Sequence, residues 1–310
     1  MKTIAFVTYE KLPDLDPGDR LAAALLRQHG VRVVPAVWDS PHVAWGELDA
    51  VVVRSTWDYY AKHAAFTRWI SRIESLRVPM WNPPALLRWN SDKRYLRDLA
   101  ARGVPVTPSL WLERGSGDTL AEVMERTGWS DVVVKPVVSA NGWRTWRASR
   151  SSALYRQNDF RQMLAEGGVV VQRFVEEVRS EGEWSFVFFG GAFSHAVLKR
   201  PNAGDFRVQL EYGGAATRVT APAELVAQAE NVLAAVSLPW LYARVDGCVV
   251  DGRLQLMELE MLEPSLFLEI ASHAPQRFAA AIMDMLRRDP GVIPSPALAP
   301  TVYARGKVAA

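Results

Sequence analysis

Two short charged strings carry the chemistry most open to reading: Arg244-Val245-Asp246 and Glu258-Leu259-Glu260. Alternate residues of a strand share a face, so Arg244 points with Asp246 and Glu258 with Glu260. Asp251-Gly252, between the strings, is a hairpin signal. A strict two-residue turn would set Asp246 against Met257 and leave Asp246 and Glu258 on opposite faces. A bulged or three-residue hairpin, with Gly252 at positive φ, reverses that parity. It sets Glu258 across from Arg244 and gathers Asp246, Glu258 and Glu260 on one side. Val245, Val249, Met257 and Leu259 then form an apolar opposite face, which favours this register. Crowded carboxylates keep a proton unless a cation sits among them. An oxygen-only donor set suits Mg²⁺, with phosphate oxygens completing the shell. The competing reading, an exposed charged face, fits either string alone better than both together.

A magnesium–phosphate site also needs cations. Lys93 follows Ser91, read as the cap of a helix from Asp92 to Arg102. Lys135 closes the apolar run Val132-Val133-Val134 and precedes Pro136, bringing charge to the edge of a core. For Lys93 alone, a solvated surface lysine is the commoner explanation. The polar loop Ser139-Ala140-Asn141-Gly142 offers backbone N–H groups to phosphates. Arg54-Ser55-Thr56-Trp57-Asp58-Tyr59 begins where a buried strand ends, and ligands of parallel sheets gather beyond such ends. The string is a candidate substrate edge. Trp57 and Tyr59 read equally well as packing aromatics, whereas Arg54 and Asp58 are harder to place in a core.

The elements that must position these groups follow from periodicity. Ile4–Thr8, Val31–Val37 and Ala50–Arg54 read as buried strands, Arg20–Gln28 and Ala61–Ser75 as helices, and Val78–Trp81 as a further strand before the break Asn82-Pro83-Pro84. That βαβ rhythm implies a small parallel sheet. Beyond it come strands at Asp131–Pro136, Trp143–Arg147 and Val169–Gln172, with a helix at Gln157–Ala165. Hairpins follow around Gly190-Gly191 and Asp251-Gly252, with helices at Ala223–Ala235 and from Pro275 to Arg288. The Pro/Ala-rich tail from Pro290 reads as irregular.

Composition removes several classes. With 36 Lys+Arg against 34 Asp+Glu, no global field points to nucleic acid or an anionic membrane. The single cysteine, Cys248, excludes an intrachain disulfide and a cysteine-cluster metal site. No stretch reaches a membrane span and the first apolar run is too short for a signal peptide, so a cytoplasmic protein is expected. The Walker phosphate loop, the dinucleotide glycine fingerprint, the serine-hydrolase elbow and the zinc-protease helix are all absent.

Taken in order, these residues resemble the ATP-grasp enzymes. Lys93, Val-Val-Val-Lys135-Pro and the loop ending at Gly142 are similar to the family's phosphate-binding half. Val169-Val-Val-Gln172-Arg173-Phe174-Val175 resembles its adenine-contacting strand, and Gly182-Glu183-Trp184-Ser185 the acidic position that holds ribose. Gly204-Asp205-Phe206-Arg207, followed by Gly213-Gly214, is similar to the segment of ribosomal-protein glutamate ligases whose arginine meets phosphate and substrate. Arg54–Tyr59 and Trp89-Asn90-Ser91-Asp92-Lys93 look like strings of the group that includes the D-cycloserine-forming ligase. The pattern departs at Glu260, where the family commonly has Asn, and at Glu263-Pro264-Ser265-Leu266, where a small residue, Pro and Gly are usual.

The resemblance implies an α/β N-terminal lobe with a small parallel sheet, followed by ATP-grasp α+β lobes with largely antiparallel sheets. Residues 1–85 would form an N-terminal α/β substrate-side domain, 86–175 the central nucleotide-binding lobe, and 176–310 the C-terminal lobe with the metal site. It implies an ATP-dependent ligase that activates a small carboxylate as an acylphosphate and joins it to a nitrogen nucleophile, in one molecule or between two. An ATP-binding regulatory or assembly protein and a carboxylate kinase are the alternatives. Lys93, Lys135, Ser139, Gly142, Gln172, Arg173, Phe174, Val175 and Glu183 would hold ATP. Asp246, Glu258 and Glu260 would hold Mg²⁺, with Mn²⁺ as a substitute. Arg207 and Arg244 would be catalytic, and Arg54, Ser55, Asp58 and Ser265 would touch substrate. The expected partners are small carboxylate and amine substrates, with neither nucleic acid nor membrane. A homodimer is compatible with this reading.

Overall fold

The computed structural model describes residues 1–288; the tail from Pro290 lies outside them. The N-terminal part contains β1 (Lys2–Thr8), α1 (Pro17–Gln28), β2 (Val31–Val37), β3 (Ala50–Ser55), α2 (His63–Ser75) and β4 (Met80–Trp81). Its strands form a parallel sheet in the order β2-β1-β3-β4. Ile4 to Val7 are fully buried, as a strand covered on both faces requires. Asp16 caps α1 by accepting the Gly18 N–H at 2.9 Å, and Pro17 occupies the first helical turn, where its missing N–H costs nothing.

Helix α3 (Pro84–Asn90) stands where the sequence reads as a break: Pro84 sits at its start, not past its end. Ser91 ends this helix, donating its hydroxyl to the Arg88 carbonyl at 2.8 Å, and does not cap the next, α4 (Tyr95–Ala101). Lys93 therefore lies in the turn between two helices. Its N–H donates to the Val137 carbonyl at 2.7 Å.

Then follow β5 (Ser109–Leu112), α5 (Leu120–Thr127), β6 (Asp131–Pro136), β7 (Trp146–Ser149), α6 (Gln157–Glu166), β8 (Val169–Arg173) and the short α7 (Glu177–Ser180). Their strands make an antiparallel sheet, β5-β8-β6-β7. The remainder comprises β9 (Glu183–Phe189), β10 (Ala192–Arg200), β11 (Ala215–Val219), α8 (Ala223–Ala234), β12 (Tyr242–Val250), β13 (Arg253–Glu260) and α9 (Ala274–Arg287). It forms a second antiparallel sheet, β11-β10-β9-β12-β13.

One core joins the first and last sheets. Phe278 of α9 packs between Phe6 of β1 and Phe189 of β9, with ring centroids 6.2 and 5.0 Å away. The middle sheet has a separate core around Phe160 and Val171. The edge strand β13 is held by side chains from the linking helices. Asn90 bridges the Leu259 carbonyl and the Met261 N–H, each at 2.7 Å, and the Tyr95 hydroxyl accepts the Leu259 N–H at 3.0 Å. Among the described residues, no helix is long and apolar enough to cross a membrane.

Candidate active site

The hairpin β12–β13 solves the parity problem with two devices. The turn is a strict two-residue one: Val250 pairs with Arg253, and both Asp251 and Gly252 have positive φ, 50° and 74°, as a type I′ turn requires. The compensating residue comes further along, as a bulge. Asp246 pairs with Glu258, but Gly247 pairs with Leu256, leaving Met257 extra. A side chain at position 247 would place its Cβ 2.4 Å from the Gln255 carbonyl oxygen, so glycine permits the close approach. Asp246, Glu258 and Glu260 thus share a face, as the bulged register predicts. Two details differ from the sequence expectation. Glu258 stands opposite Asp246, not Arg244, which faces Glu260. Met257 leaves the apolar side, packs with Cys248 and lines the cleft.

That cleft has a volume of about 490 Å³ and is lined from the two antiparallel sheets and the loops beside them, with Trp57 and Tyr59 reaching it from the segment after β3. Lys93, Lys135, Ser139, Gly142, Gln172, Arg173, Phe174, Val175, Glu183, Arg207, Arg244, Asp246, Glu258, Glu260 and Ser265 all contribute to its wall. Lys135 donates to Glu258 at 2.7 Å, and Lys93 lies 3.6 Å from the same oxygen while donating to the Ser139 carbonyl at 2.8 Å. Both lysines are buried. Burial lowers the pKa of Lys135, and Glu258 offsets part of that effect. For Glu258, burial is outweighed by Lys135 and Lys93, and its pKa falls to about 2.

Asp246, expected as a metal ligand, is the most enclosed of the three acids. It is almost fully enclosed and already saturated: Ser185 donates at 2.7 Å, Lys199 at 3.0 Å and Arg244 at 2.8 Å. Burial opposes its ionisation, but Arg244 and Lys199 prevail and hold it below the usual carboxylate range. Glu260 pairs with Arg244, yet burial pushes its pKa up to about 8. The side chains of Glu258 and Glu260 each keep 28% exposure, against 2% for Asp246. Among the described residues, no three His, Cys, Asp or Glu side chains converge as a metal cage. Two open carboxylates two residues apart do fit Mg²⁺, which takes one or two from a protein and the rest from phosphate and water.

Lys199 escaped the sequence reading. It lies opposite Glu183 in the β9–β10 pair and donates to it at 2.5 Å as well as to Asp246. The signal was present: Lys199 closes the run Ala196-Val197-Leu198 as Lys135 closes its own. Gln172 is buried and donates to Ser109 at 2.9 Å, while Phe174 lies under the Arg147 guanidinium at 3.8 Å. Arg207 pairs with Asp205 at 2.7 Å and stacks on Tyr212 at 3.6 Å. A Cβ at Gly142 would come within 3.0 Å of the Tyr212 ring, so the two loops meet over the cleft.

The N-terminal string reverses its expected division of labour. Arg54, Ser55 and Asp58 are not brought to the cleft. Arg54 is 2% exposed, pairs with Asp19 at 2.8 Å, donates to the Pro264 carbonyl at 3.1 Å and lies over the Tyr242 ring. Ser55 donates to Asp19 at 3.3 Å, and Asp58 accepts from Trp38 at 2.8 Å and pairs with Lys62. The aromatics Trp57 and Tyr59 line the cleft instead. The core does accommodate Arg54, because an acid 35 residues earlier in the chain meets it there.

Along most of its length the chain is similar to known proteins. A family model described as the N-terminal domain of D-cycloserine synthetase DcsG matches residues 4–82. The cycloserine biosynthesis protein DcsG of Streptomyces lavendulae is 34% identical over 277 residues, covering 84% of this chain and 91% of that protein. A crystal structure of D-cycloserine synthetase DcsG superposes with a TM-score of 0.83 at 32% identity, covering 92% of this chain and 99% of that one. A RimK-domain ATP-grasp protein of Sphaerobacter thermophilus shares the fold, with a TM-score of 0.66 at 18% identity over 92% of this chain and 100% of its own.

Proposed function

The chain belongs to the D-cycloserine synthetase family of ATP-grasp ligases, and from its cleft we propose that it activates a small carboxylate as an acylphosphate and joins it to a nitrogen nucleophile. The γ-phosphoryl group of ATP passes to the carboxylate; the nitrogen then displaces phosphate, leaving an amide, ADP and phosphate. One observation carries this reading. Two buried lysines, Lys93 and Lys135, share a single carboxylate, Glu258. Two enclosed ammonium groups facing one acid leave an uncompensated positive charge, and phosphate oxygens supply the missing anion.

In this reading Lys93, Lys135 and the N–H groups around Ser139 and Gly142 hold phosphates. Gln172 to Val175 border adenine, and Glu183 accepts from ribose. Glu258 and Glu260 hold Mg²⁺, and Mn²⁺ suits the same oxygen donors. When bound, the ion neutralises phosphate charge, while positioning and charge stabilisation do most of the catalytic work. Asp246 acts through its neighbours: it fixes Arg244 and Lys199 at the wall. Arg244 and Arg207 offset charge on the transferred group and on the tetrahedral intermediate. The relative's name suggests a product of the cycloserine type, in which acid and nitrogen belong to one molecule.

The test is ADP release across a panel of amino acids and hydroxamate-like acids, with mass spectrometry of the products. An amide or cyclised product formed in step with ADP supports the proposal. ADP release with acid alone and no amide points to a carboxylate kinase and overturns it, as does ATP binding without turnover on any acid.

A further inference from the structure

Most acids around the cleft have a partner within the chain: Asp246, Glu258, Glu260 and Glu183 pair with Arg244, Lys135, Arg244 and Lys199 respectively, and Asp16 accepts the Gly18 N–H. Glu263 does not. Its side chain makes no hydrogen bond or ion pair with any described residue, although the residue is only 9% exposed and lines the cleft. A carboxylate so placed is costly to keep ionised unless a cation meets it. Of the cations near it, Lys135, Lys199 and Arg244 are committed to other acids, and Lys93 and Arg54 act on Glu263 only from beyond ion-pair distance.

The backbone carrying Glu263 is fixed in unusual detail. Five successive carbonyls each accept a hydrogen bond from a different side chain. The Tyr242 hydroxyl reaches Leu262 at 2.8 Å, sharing its one proton with the Val53 carbonyl at 2.5 Å, the Trp57 indole holds Glu263 at 3.0 Å and the Arg54 guanidinium holds Pro264 at 3.1 Å. Arg244 holds Ser265 at 2.8 Å, and the His195 Nε2–H holds Leu266 at 3.1 Å. The donors come from β3 and the loop after it, β10 and β12. A main chain pinned at every step, with its one acidic side chain left open to the cleft, is the arrangement of a pre-organised recognition group.

We propose that Glu263 receives a protonated amine of the substrate and selects for acids that carry one. The inference rests on the ligase reading above. Trp57, Tyr59 and Phe267 line the same cleft, and aromatic faces suit an organic cation better than a hydrated metal ion. Burial raises the Glu263 pKa to about 7, against the opposing pull of Arg244, Lys93 and Arg54; an arriving ammonium restores the charged form. Arg54 and Trp57 become positioning residues for this group, a part for the N-terminal string that requires no substrate contact.

The test measures acid-dependent ADP release for amino acids and for the same acids N-acetylated, in the wild-type chain and in Glu263→Gln. Glutamine keeps the shape and a hydrogen-bond acceptor but removes the charge. The wild type should prefer the free amine at least tenfold in kcat/KM, and Glu263→Gln should lose most of that preference through KM. Its ATP affinity, Mg²⁺ requirement and melting temperature should stay near those of the wild type. Equal use of free and N-acetylated acids by the wild type overturns the inference without any variant. An undiminished preference in Glu263→Gln overturns it too, as does a shift confined to the Mg²⁺ requirement, which would make Glu263 a metal ligand. Absence of ADP release with every acid counts against the ligase reading itself, and this inference falls with it.

Discussion

Arg54 and Arg244 both stand on buried strands beside an aspartate, yet the two regions around them do different things. At the end of β3, one arginine meets one acid, Asp19, and both side chains are almost wholly enclosed, at 3% and 2% exposure. On β12, Arg244 is shared between Asp246, Glu260 and the Ser265 carbonyl, while two lysines crowd the next acid, Glu258. The first region balances one charge against one, with only Arg54 Nη1 left without a partner among the described residues, and serves as a brace. The second is complete only when something else binds. Residue type at a strand end therefore does not mark a site; an unbalanced set of partners does.

The comparison breaks most visibly at Arg54. Arg54→Ala should cost about 3–5 kcal/mol of stability, because it leaves Asp19 buried and unpaired. Urea unfolding would register this as a lower midpoint. A variant of wild-type stability with a damaged substrate KM would restore the substrate-edge role to Arg54. On the other side of the comparison, Lys135→Ala should lower turnover by roughly a hundredfold or more while the fold persists by circular dichroism, since it removes a charge held in place for phosphate. Loss of folding without a change in the kinetics of the surviving fraction would mean that the lysine is a brace as well.

A third test uses His195, part of the clamp on Leu266. Burial holds its pKa down to about 4, against the opposing hydrogen bond to the Leu266 carbonyl. The folded chain therefore keeps His195 neutral in a range where the unfolded chain protonates it, near pH 6.5. Stability from this group is complete above that pH and drains away as pH falls towards 4, by roughly 2–3 kcal/mol. His195→Gln should flatten that slope in urea titrations at stepped pH. The smallest effect belongs to Glu260→Gln, which should raise the Mg²⁺ concentration for half-maximal turnover by about tenfold and change stability by less than about 1 kcal/mol. An unchanged Mg²⁺ requirement would remove Glu260 from the metal.

The contrast also explains what the chain's sequence discloses. The strands Val31–Val37 and Asp131–Pro136 are legible to the residue, because each apolar or alternating run ends at a turn residue or a change of polarity. The helix Pro84–Asn90 is not, since proline marks a break and a helix start alike. The shared face of Asp246, Glu258 and Glu260, and the need for one extra residue, are legible by parity, while the place of that residue is not: nothing in Leu256-Met257-Glu258 distinguishes an extra residue from a regular one. Lys93, Lys135 and the acids of the cleft could be singled out by type and neighbours. The saturation of Asp246 and the enclosure of Arg54 depend on partners far along the chain, Lys199 and Asp19, which no local spacing reveals.

The central claim is that the cleft between the two antiparallel sheets activates a carboxylate by phosphorylation. Turnover of an accepted acid labelled with ¹⁸O in its carboxylate tests this most directly. Attack of a carboxylate oxygen on the γ-phosphorus leaves that oxygen on phosphorus when nitrogen displaces phosphate. One ¹⁸O is expected in the released inorganic phosphate per turnover, with Lys135→Ala lowering the rate at which labelled phosphate appears but not the one label per amide formed. Amide formed at the normal rate with both labels absent from phosphate would contradict it.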